Sequence, residues 1–295
     1  MQRWLFGFLV VGGMMAGGHS VAQPLELKVM TFNVRYGTAD DGTNRWAVRK
    51  PLLCGLVARE APDALGLQEA LRAQLDDIRA AVPGYGEAGE GRDGGRKGEY
   101  SAILYREARF RLEASGTFWL SDTPDAPSTH WGNKLKRICT WARLVEKESG
   151  LAFYLFNTHL DNECQPAREK SVRLIAERIG SRPQPDPFVL TGDFNAGEDN
   201  PAVRFLTGAP GVPAASPAPM ADTFRVLYPD EKSVGTFNGF KGLTGGPKID
   251  YILAAPGAAV LSADILRTAA PGPYPSDHFP VTARLRLESP PAQTK

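Results

Sequence analysis

The sequence predicts an α/β fold built on mixed β-sheets. Short apolar runs with β-branched residues alternate with segments whose apolar side chains recur at helical spacing. Some of these runs are separated by a helix and others only by a turn, which favours sheets with both parallel and antiparallel strands. No repeat and no shift in composition divides the 295 residues, so one large domain is expected.

Residues 1–22 are predicted to be a signal peptide. Arg3 provides the positive start, residues 4–18 are uncharged and apolar, and Ser20-Val21-Ala22 places small residues before a cleavage site at Gln23. A transmembrane anchor is the weaker interpretation, because a bilayer crossing needs about 20 apolar residues. We therefore expect an exported protein, periplasmic or extracellular, with no stable membrane anchor after processing.

The chain then passes through two strand–helix units. Residues 27–32 form a short apolar run, and residues 47–59 carry apolar side chains at helical spacing. Residues 64–67 and 71–82 repeat this order of strand and helix. Residues 84–98 are rich in glycine and charge, which predicts an exposed, mobile loop.

Strands dominate the rest of the chain. Apolar runs predict strands at 101–105, 110–120, 139–145, 153–158, 188–191, 249–253, 259–265 and 281–287. Helical spacing of apolar residues predicts a third helix at 168–179. Residues 208–220, rich in Pro, Gly and Ala, predict a surface loop, and the polar segment 289–295 predicts a disordered tail.

Composition narrows the classes of function. The chain has 34 basic and 33 acidic residues, and loss of Arg3 with the leader makes it neutral. A neutral chain has no global field that attracts polyanions, which disfavours a dedicated nucleic-acid binder. Cys54 and Cys139 stand in apolar surroundings and are expected to be buried, whereas Cys164 lies in a polar loop. None has metal-ligand spacing, so a zinc site built on cysteine is not expected.

Polar side chains follow the apolar strands, or interrupt them, at several positions. In chain order these are Asn33, Glu69, His159, Asp193, Asn195, Asp250, Asp277 and His278. Ligand sites in α/β proteins commonly form outside strand ends, so these groups are expected to converge at one rim.

Such a set fits the hydrolysis of a phosphate ester. This reaction requires a cation that neutralises the phosphoryl oxygens, an oriented and deprotonated water, and donors that stabilise the charged transition state. Magnesium prefers oxygen ligands, and one or two carboxylates together with substrate oxygens suffice to hold it. The carboxylates, amides and imidazoles of the chain can hold the cation, orient and deprotonate the water, and donate to the transition state.

The chain resembles the endonuclease/exonuclease/phosphatase superfamily, which includes pancreatic-type deoxyribonuclease, abasic-site endonucleases, neutral sphingomyelinases and inositol polyphosphate 5-phosphatases. The similar segments, in order, are Thr31-Phe32-Asn33-Val34-Arg35, Gln68-Glu69, Asn157-Thr158-His159-Leu160-Asp161, Gly192-Asp193-Phe194-Asn195, Lys248-Ile249-Asp250-Tyr251-Ile252 and Ser276-Asp277-His278-Phe279-Pro280. No single segment is diagnostic of the superfamily, but the six segments in this order together are. The resemblance implies a four-layer α/β/β/α sandwich, with two packed mixed β-sheets flanked by helices, over residues 23–288.

The resemblance also implies roles for the metal ligands. Glu69 would be the principal ligand of Mg²⁺, with Asn33 and Asp277 nearby and Mn²⁺ as a possible substitute. Asp193 would orient or deprotonate the attacking water, and Asn195 would hold the phosphate or that water.

The two histidines have implied roles as well. His159 would donate to the phosphate or its leaving group, and His278 would contact the phosphoryl oxygens. Asp250 would fix the charge and tautomer of His278, since a buried carboxylate raises the pKa of a neighbouring imidazole. Whether Asp193 or the Asp250–His278 pair is the general base stays open at this point.

Further residues have a substrate-binding interpretation beside a structural one. Arg35 and Arg168 could each reach a phosphate, although solvated surface arginines are the favoured interpretation. Trp131 could line a substrate pocket or belong partly to the apolar core. The basic loop residues Arg92, Arg96, Lys134, Lys136 and Arg137 could bind additional anionic groups, and solvated charges are favoured for most of them.

The sequence therefore predicts an exported, monomeric, Mg²⁺-dependent phosphoesterase. Its partner would be a phosphate-ester substrate, with monoester and diester both open. A secreted nuclease of the same superfamily and an inert binding module with the same fold are the alternatives. Every matched position holds a competent residue, which argues against the inert module.

Overall fold

The computed structural model describes residues 24–212, 214–267 and 273–288 and contains twelve strands in these ranges. They are β1 (Leu25–Asn33), β2 (Ala64–Ala70), β3 (Tyr85–Ala88), β4 (Tyr100–Arg106), β5 (Phe110–Trp119), β6 (Ile138–Glu146), β7 (Ala152–His159), β8 (Phe188–Asp193), β9 (Ala221–Asp222), β10 (Asp250–Ala254), β11 (Ala259–Ile265) and β12 (Val281–Leu287). Sheet A has the order β11-β12-β1-β2-β4-β3 and sheet B the order β5-β6-β7-β8-β10-β9. Both sheets are mixed, because β1–β2 and β7–β8 pair in parallel and the other pairs are antiparallel.

The outer faces of the two sheets are covered by α1 (Trp46–Glu60), α2 (Arg72–Ala81), α3 (Gln165–Gly180) and α4 (Pro201–Thr207). Helix α5 (Thr223–Leu227) instead contacts β10 and β11, and its Phe224 belongs to the core between the sheets. A short 3-10 helix lies at Gly42–Asn44. A first apolar core joins α1 and α2 to sheet A through Leu53, Leu75, Phe32 and Leu65. A second joins α3 and α4 to sheet B through Ile175, Phe205, Phe156 and Leu190.

A third core lies between the two sheets and includes Val29, Ile103, Leu155, Val189 and Ile252. Strands buried on both faces explain why their sequences are nearly continuous apolar runs rather than alternating ones. The four layers are therefore ordered α/β/β/α, as the resemblance implies, and the predicted fold class is confirmed.

The strand register brings the polar ends of the central strands to one edge. Asn33 lies opposite Gln68 in the β1–β2 pair. His159 lies opposite Asp193 in the β7–β8 pair, and Asp250 pairs with Asp193 from the other side.

A polar junction connects the two sheets beneath this edge. The side chain of Gln68 donates to Oδ1 of Asn157 at 2.7 Å, and Nδ2 of Asn157 donates to the carbonyl of Leu67 at 2.9 Å. Gly66 makes this close approach possible, since a Cβ there would lie 2.4 Å from Oγ1 of Thr191 and 2.6 Å from Oδ1 of Asn157.

The predicted strands and the three predicted helices are all present, with ends that differ by a few residues. The prediction of an exposed, mobile loop over 84–98 is wrong for its first part, because Tyr85–Ala88 forms the edge strand β3 with Tyr85 and Ala88 buried. The sequence interpretation also missed α4, α5 and the two-residue strand β9.

Other predictions have mixed outcomes. Cys54 and Cys139 are buried as expected, and the three cysteines are free. Over the residues that the structure describes, no helix has the length and apolar character needed to cross a membrane. The predicted signal peptide 1–22 and tail 289–295 lie outside the described residues.

Candidate active site

The polar edge surrounds a cavity of about 500 Å³. Its lining includes the predicted residues Arg35, Glu69, His159, Asp193, Asn195, Asp277 and His278. Asn33 and Asp250, both fully buried, stand directly behind this lining and bond to it. The structure therefore brings together every residue of the predicted catalytic and metal-ligand sets.

Asp193 lies at the centre of the site with 1% of its surface exposed. Its Oδ2 accepts from the amide of Asn33 at 2.9 Å, and its Oδ1 accepts from the backbone N–H of Asn195 at 2.9 Å. Oδ2 is also 3.5 Å from Nε2 of His159 and 3.7 Å from Nε2 of His278. Burial and the charge of Asp250 raise the pKa of Asp193 to about 7, so this carboxylate can exchange a proton near neutral pH.

His278 is held by the buried carboxylate of Asp250, whose Oδ2 is 2.9 Å from Nδ1 of the imidazole. Burial alone would lower the pKa of His278, but the charges of Asp250 and Asp193 outweigh it and raise this pKa to about 10. The imidazolium therefore presents a positively charged Nε2 toward Asp193 and the cavity.

His159 has the opposite protonation state. Burial first, and then the positive charges of Arg137 and His278, lower the pKa of His159 well below its usual value, so the ring is neutral. Its Nε2 lies 2.9 Å from Nδ2 of Asn195, which also donates to the carbonyl of Leu160 at 3.1 Å. Nε2 thus accepts in this arrangement, and the predicted donation to phosphate requires that it first take up a proton.

Glu69 and Asp277 supply two carboxylates to the same cavity. Oε1 of Glu69 accepts from Nδ2 of Asn33 at 3.0 Å, and Oε2 accepts from the backbone N–H of Tyr36 at 3.1 Å. Arg35 lies beside them, with Nε 3.9 Å from Oδ2 of Asp277. Burial, reinforced by the charge of Glu69, raises the pKa of Asp277 despite the nearby cations.

These carboxylates fit a divalent cation. Magnesium takes oxygen ligands and needs few from the protein, and a cation between Glu69 and Asp277 would relieve their mutual repulsion. Asn33 turns its amide nitrogen toward Glu69 and Asp193, so in this arrangement it orients the two carboxylates.

A second group of side chains also has the spacing of a metal site. Ligand atoms of Asp193, Asp250 and His278 all lie within 4.8 Å of one another. However, His278 is an imidazolium in this arrangement, so Nε2 as well as Nδ1 carries a proton and has no lone pair for a metal. This second group is therefore better suited to proton transfer than to metal binding.

Several lining residues have a left-handed backbone conformation. The φ angle is 53° at Arg35, 60° at Glu69 and 48° at Asn195, values that are uncommon for residues other than glycine. Glu69 also lies where the β2–β4 register shifts between Leu67 and Ala70. Such strain is concentrated at functional sites because it redirects side chains that regular strands would point elsewhere.

The far wall of the cavity is formed by residues beyond the predicted sets. Arg92 lies in the glycine-rich segment and Glu99 directly follows it, whereas Arg137 directly precedes β6 and Asn162 lies in the loop after β7. Arg92 and Arg137 were among the basic residues proposed to bind anionic groups. Arg96 and Lys134 are instead solvent-exposed and pair with surface carboxylates.

Two predicted substrate contacts lie elsewhere in the described structure. Arg168 is not among the residues lining the cavity and donates to the carbonyl of Asp161 at 2.7 Å, which supports the loop after His159. Trp131 packs against the core of sheet B and donates to Asp122 at 2.7 Å. Neither residue reaches the cavity in this arrangement.

Arg49 is a supporting residue that the sequence did not reveal. Its guanidinium is almost fully buried and donates to the carbonyls of Asn44, Val34, Pro275 and Arg35 at 2.7 to 3.0 Å. It thereby joins the end of β1 to the segment that carries Asp277. A charged residue inside an apolar helical pattern, as at Arg49 between Val48 and Leu52, was the available signal.

Fold and site together have the features of a phosphoesterase of the deoxyribonuclease type. A sequence profile of the Endonuclease/Exonuclease/phosphatase family matches residues 30–278, and the chain belongs to this family. Its members are phosphoesterase and nuclease hydrolases that generally depend on a divalent metal.

Solved structures of Bacteroides thetaiotaomicron are among the similar proteins. An endonuclease/exonuclease/phosphatase family protein is 33% identical, with a TM-score of 0.80 over 90% of this chain and 96% of that one. A mannosyl-6-phosphatase is also 33% identical, with a TM-score of 0.79 over 88% of this chain and 99% of that one. An uncharacterised protein of Acanthamoeba polyphaga mimivirus is 30% identical over 180 residues, covering 57% of this chain and 67% of the viral protein.

Proposed function

We propose that this protein is an exported, Mg²⁺-dependent phosphoesterase that hydrolyses a phosphate monoester of a small metabolite. The observation that carries the proposal is the position of Asp193. A buried carboxylate with a pKa of about 7 lies between a neutral and a charged imidazole, in a cavity that two further carboxylates enter. This is the arrangement that in-line attack of water on a phosphoryl group needs.

Glu69 and Asp277 would hold the metal ion, with Asn33 orienting Glu69. The ion, when bound, supplies positive charge that offsets the charge of the phosphoryl oxygens. Mn²⁺ is expected to substitute, because both ions accept carboxylate oxygens.

Asp193 then acts as the proton acceptor for the attacking water. Its ionised form is available near neutral pH, and Asn33 and the backbone of Asn195 fix its orientation. His278, kept protonated by Asp250, donates from Nε2 to a phosphoryl oxygen. This arrangement favours Asp193 over the Asp250–His278 pair as the general base.

A sugar phosphate is the first candidate substrate. The similar mannosyl-6-phosphatase acts, by its name, on such a monoester, and it aligns over 88% of this chain. The net charge of +1 gives no global attraction for a polyanion, which makes nucleic acid the less favoured substrate.

The first test is the hydrolysis of p-nitrophenyl phosphate and bis-p-nitrophenyl phosphate with Mg²⁺ or Mn²⁺. We expect metal-dependent turnover with preference for the monoester, and a fall in kcat of about 10²- to 10⁴-fold in Asp193→Asn. Asp199→Asn, in the loop after the site, is the control and should retain wild-type activity.

Three outcomes would contradict parts of the proposal. Turnover that persists in EDTA excludes a metal requirement, and preference for the diester favours nuclease-like chemistry. Absence of turnover on these substrates and on mannose 6-phosphate would support an inert binding module. The exported form is expected to begin at Gln23, which N-terminal sequencing of the mature protein checks.

A further inference from the structure

One wall of the cavity carries polar side chains that the proposed chemistry leaves unused. It consists of Arg92, Glu99, Arg137 and Asn162, and we call it the leaving-group wall. Arg137 directly precedes β6, whose Cys139 pairs with Thr158 next to His159 at the end of β7, so this wall adjoins the reacting centre. What it can bind follows from the charges and free hydrogen-bonding groups of these four residues.

Arg92 and Glu99 form a bidentate ion pair, with N–O distances of 2.9 and 2.7 Å. Their side chains are only 15% and 16% exposed, and burial raises the pKa of Glu99 although Arg92 opposes this. Two further bonds hold the loop, since the backbone N–H of Arg92 donates to the carbonyl of Glu99 and Trp119 donates to the carbonyl of Arg92. Both residues of the pair line the cavity, and each carboxylate oxygen of Glu99 has a second lone pair that a ligand can use.

Arg137 contributes a guanidinium with unused donors. Its side chain is 4% exposed, Nη2 donates to Oδ1 of Asn162 at 2.8 Å, and Nε is 3.5 Å from the carboxylate of Asp161. No acceptor for Nη1 is found among the described residues, although a guanidinium offers five N–H donors in a fixed plane. Nη1 is not among the buried polar atoms that lack a partner, so it is accessible at the cavity that Arg137 lines and can donate to a ligand there.

The charge balance of this wall disfavours a second phosphate. Arg92 is already neutralised by Glu99, and the Glu99 carboxylate would repel another anion. A carboxylate accepts from hydroxyl groups, and a guanidinium donates to them, so the set suits neutral groups that both donate and accept. Phe237, 48% exposed at the same cavity, offers an apolar face beside these polar groups.

We infer that the leaving-group wall binds the hydroxyl groups of a sugar or polyol leaving group, with Glu99 accepting from them and Arg137 donating to them. This inference rests on the proposed function, since it concerns the alcohol released when the phosphate ester is cleaved. Glu99 and Arg137 thereby determine substrate specificity.

The test compares two substrates that differ in their leaving groups, mannose 6-phosphate and p-nitrophenyl phosphate. Glu99→Gln keeps the shape of the side chain but weakens its bonds to hydroxyl donors. We expect kcat/KM for mannose 6-phosphate to fall at least ten times more than kcat/KM for p-nitrophenyl phosphate, mostly through KM. Asn162→Ala, at an exposed position, should lower kcat/KM for mannose 6-phosphate in the same way but by less, because Asn162 accepts from Arg137 and orients it.

The matched control is Glu87→Gln. Glu87 forms a comparable pair with Arg72, with side chains 13% and 16% exposed, and neither residue lines the cavity. This variant should leave both substrates unaffected. Equal losses on the two substrates in Glu99→Gln, with the wild type active on p-nitrophenyl phosphate, would overturn the inference while the proposed function stands. A wild type inactive on both would overturn the proposed function and the inference with it.

Discussion

Asp193, Asp250 and Asp277 are the same residue type in one site, and their surroundings give them different tasks. Asp193 accepts from an amide and a backbone N–H and faces two imidazoles. Asp250 is fully buried behind His278, whereas Asp277 faces Arg35 and the cavity. A substitution at each position should therefore affect a different part of the chemistry.

Asp250→Asn should lower activity without unfolding the protein. The amide cannot stabilise an imidazolium as the carboxylate does, and its N–H₂ can face Nδ1 of His278, which selects the wrong tautomer. We expect kcat on p-nitrophenyl phosphate to fall by about 10²- to 10⁴-fold. Steady-state kinetics under saturating Mg²⁺ measure this loss.

Asp264→Asn is the control for that substitution, because Asp264 also lies in a strand but is exposed. Its kcat should equal that of the wild type. If kcat of Asp250→Asn stayed within a few-fold of the wild type, Asp250 would not be the residue that positions His278.

At the scale of elements, α1 supports the site as well as the core. Its Arg49 donates to four backbone carbonyls, two of which belong to Val34 and Arg35 at the end of β1 and one to Pro275 near Asp277. The helix thus fixes the distance between the segment after β1, next to Asn33, and the segment that carries Asp277.

Arg49→Met should destabilise the fold and lower activity together. The apolar side chain fills the space but leaves buried carbonyls without a donor, which costs about 1 to 3 kcal/mol for each one left unsatisfied. We expect a loss of at least about 2 kcal/mol in the free energy of unfolding, measured with urea, and a higher metal concentration for half-maximal activity.

Arg59→Met in the same helix is the matched control. Arg59 is 59% exposed, and its substitution should change the free energy of unfolding by less than about 0.5 kcal/mol. If the metal dependence of Arg49→Met equalled that of the wild type, α1 would stabilise the fold without positioning Asn33 or Asp277.

Strands were predictable where both faces are buried. Residues 153–158 and 188–191 read as apolar runs because sheet B is covered on one side by α3 and on the other by sheet A. The edge strand Tyr85–Ala88 contains Gly86 and Glu87 and has no such run, and α4 at Pro201–Thr207 is too short for a helical period.

The predicted site residues were recognisable because their types and order are those of a known superfamily. The ion pair of Arg92 and Glu99 in the leaving-group wall was not recognisable from the sequence, because a charged pair in or beside a glycine-rich segment is usually solvated. The pair is mostly buried, and Trp119 bonds to the backbone of Arg92 from β5, a contact that sequence spacing does not encode.

At the scale of the whole molecule, the two sheets approach each other closely at Gly66. A methyl group there would overlap Oγ1 of Thr191 and Oδ1 of Asn157, which belong to the facing sheet. Gly66→Ala should therefore force the sheets apart and destabilise the protein by about 1 to 3 kcal/mol. Chemical denaturation measures the change.

Gly55→Ala is the control, and it should change the free energy of unfolding in the opposite direction. No atom lies within 4 Å of a Cβ at Gly55, which is an exposed position inside α1. Alanine should stabilise the helix there by about 0.5 to 1 kcal/mol. A neutral Gly66→Ala would mean that the packing of the sheets tolerates a methyl group at their junction.

The position of β1 in sheet A has a consequence for the order of events during synthesis. β1 is made first, yet one of its two neighbours is β12, and Leu25 pairs with Leu287. Until β12 has been made and has paired, the N–H and C=O groups along one edge of β1 have no strand partner. Asp277 and His278, which directly precede β12, are then not in place either. A nascent or prematurely terminated chain therefore lacks part of the cavity lining and is prone to pair with other chains.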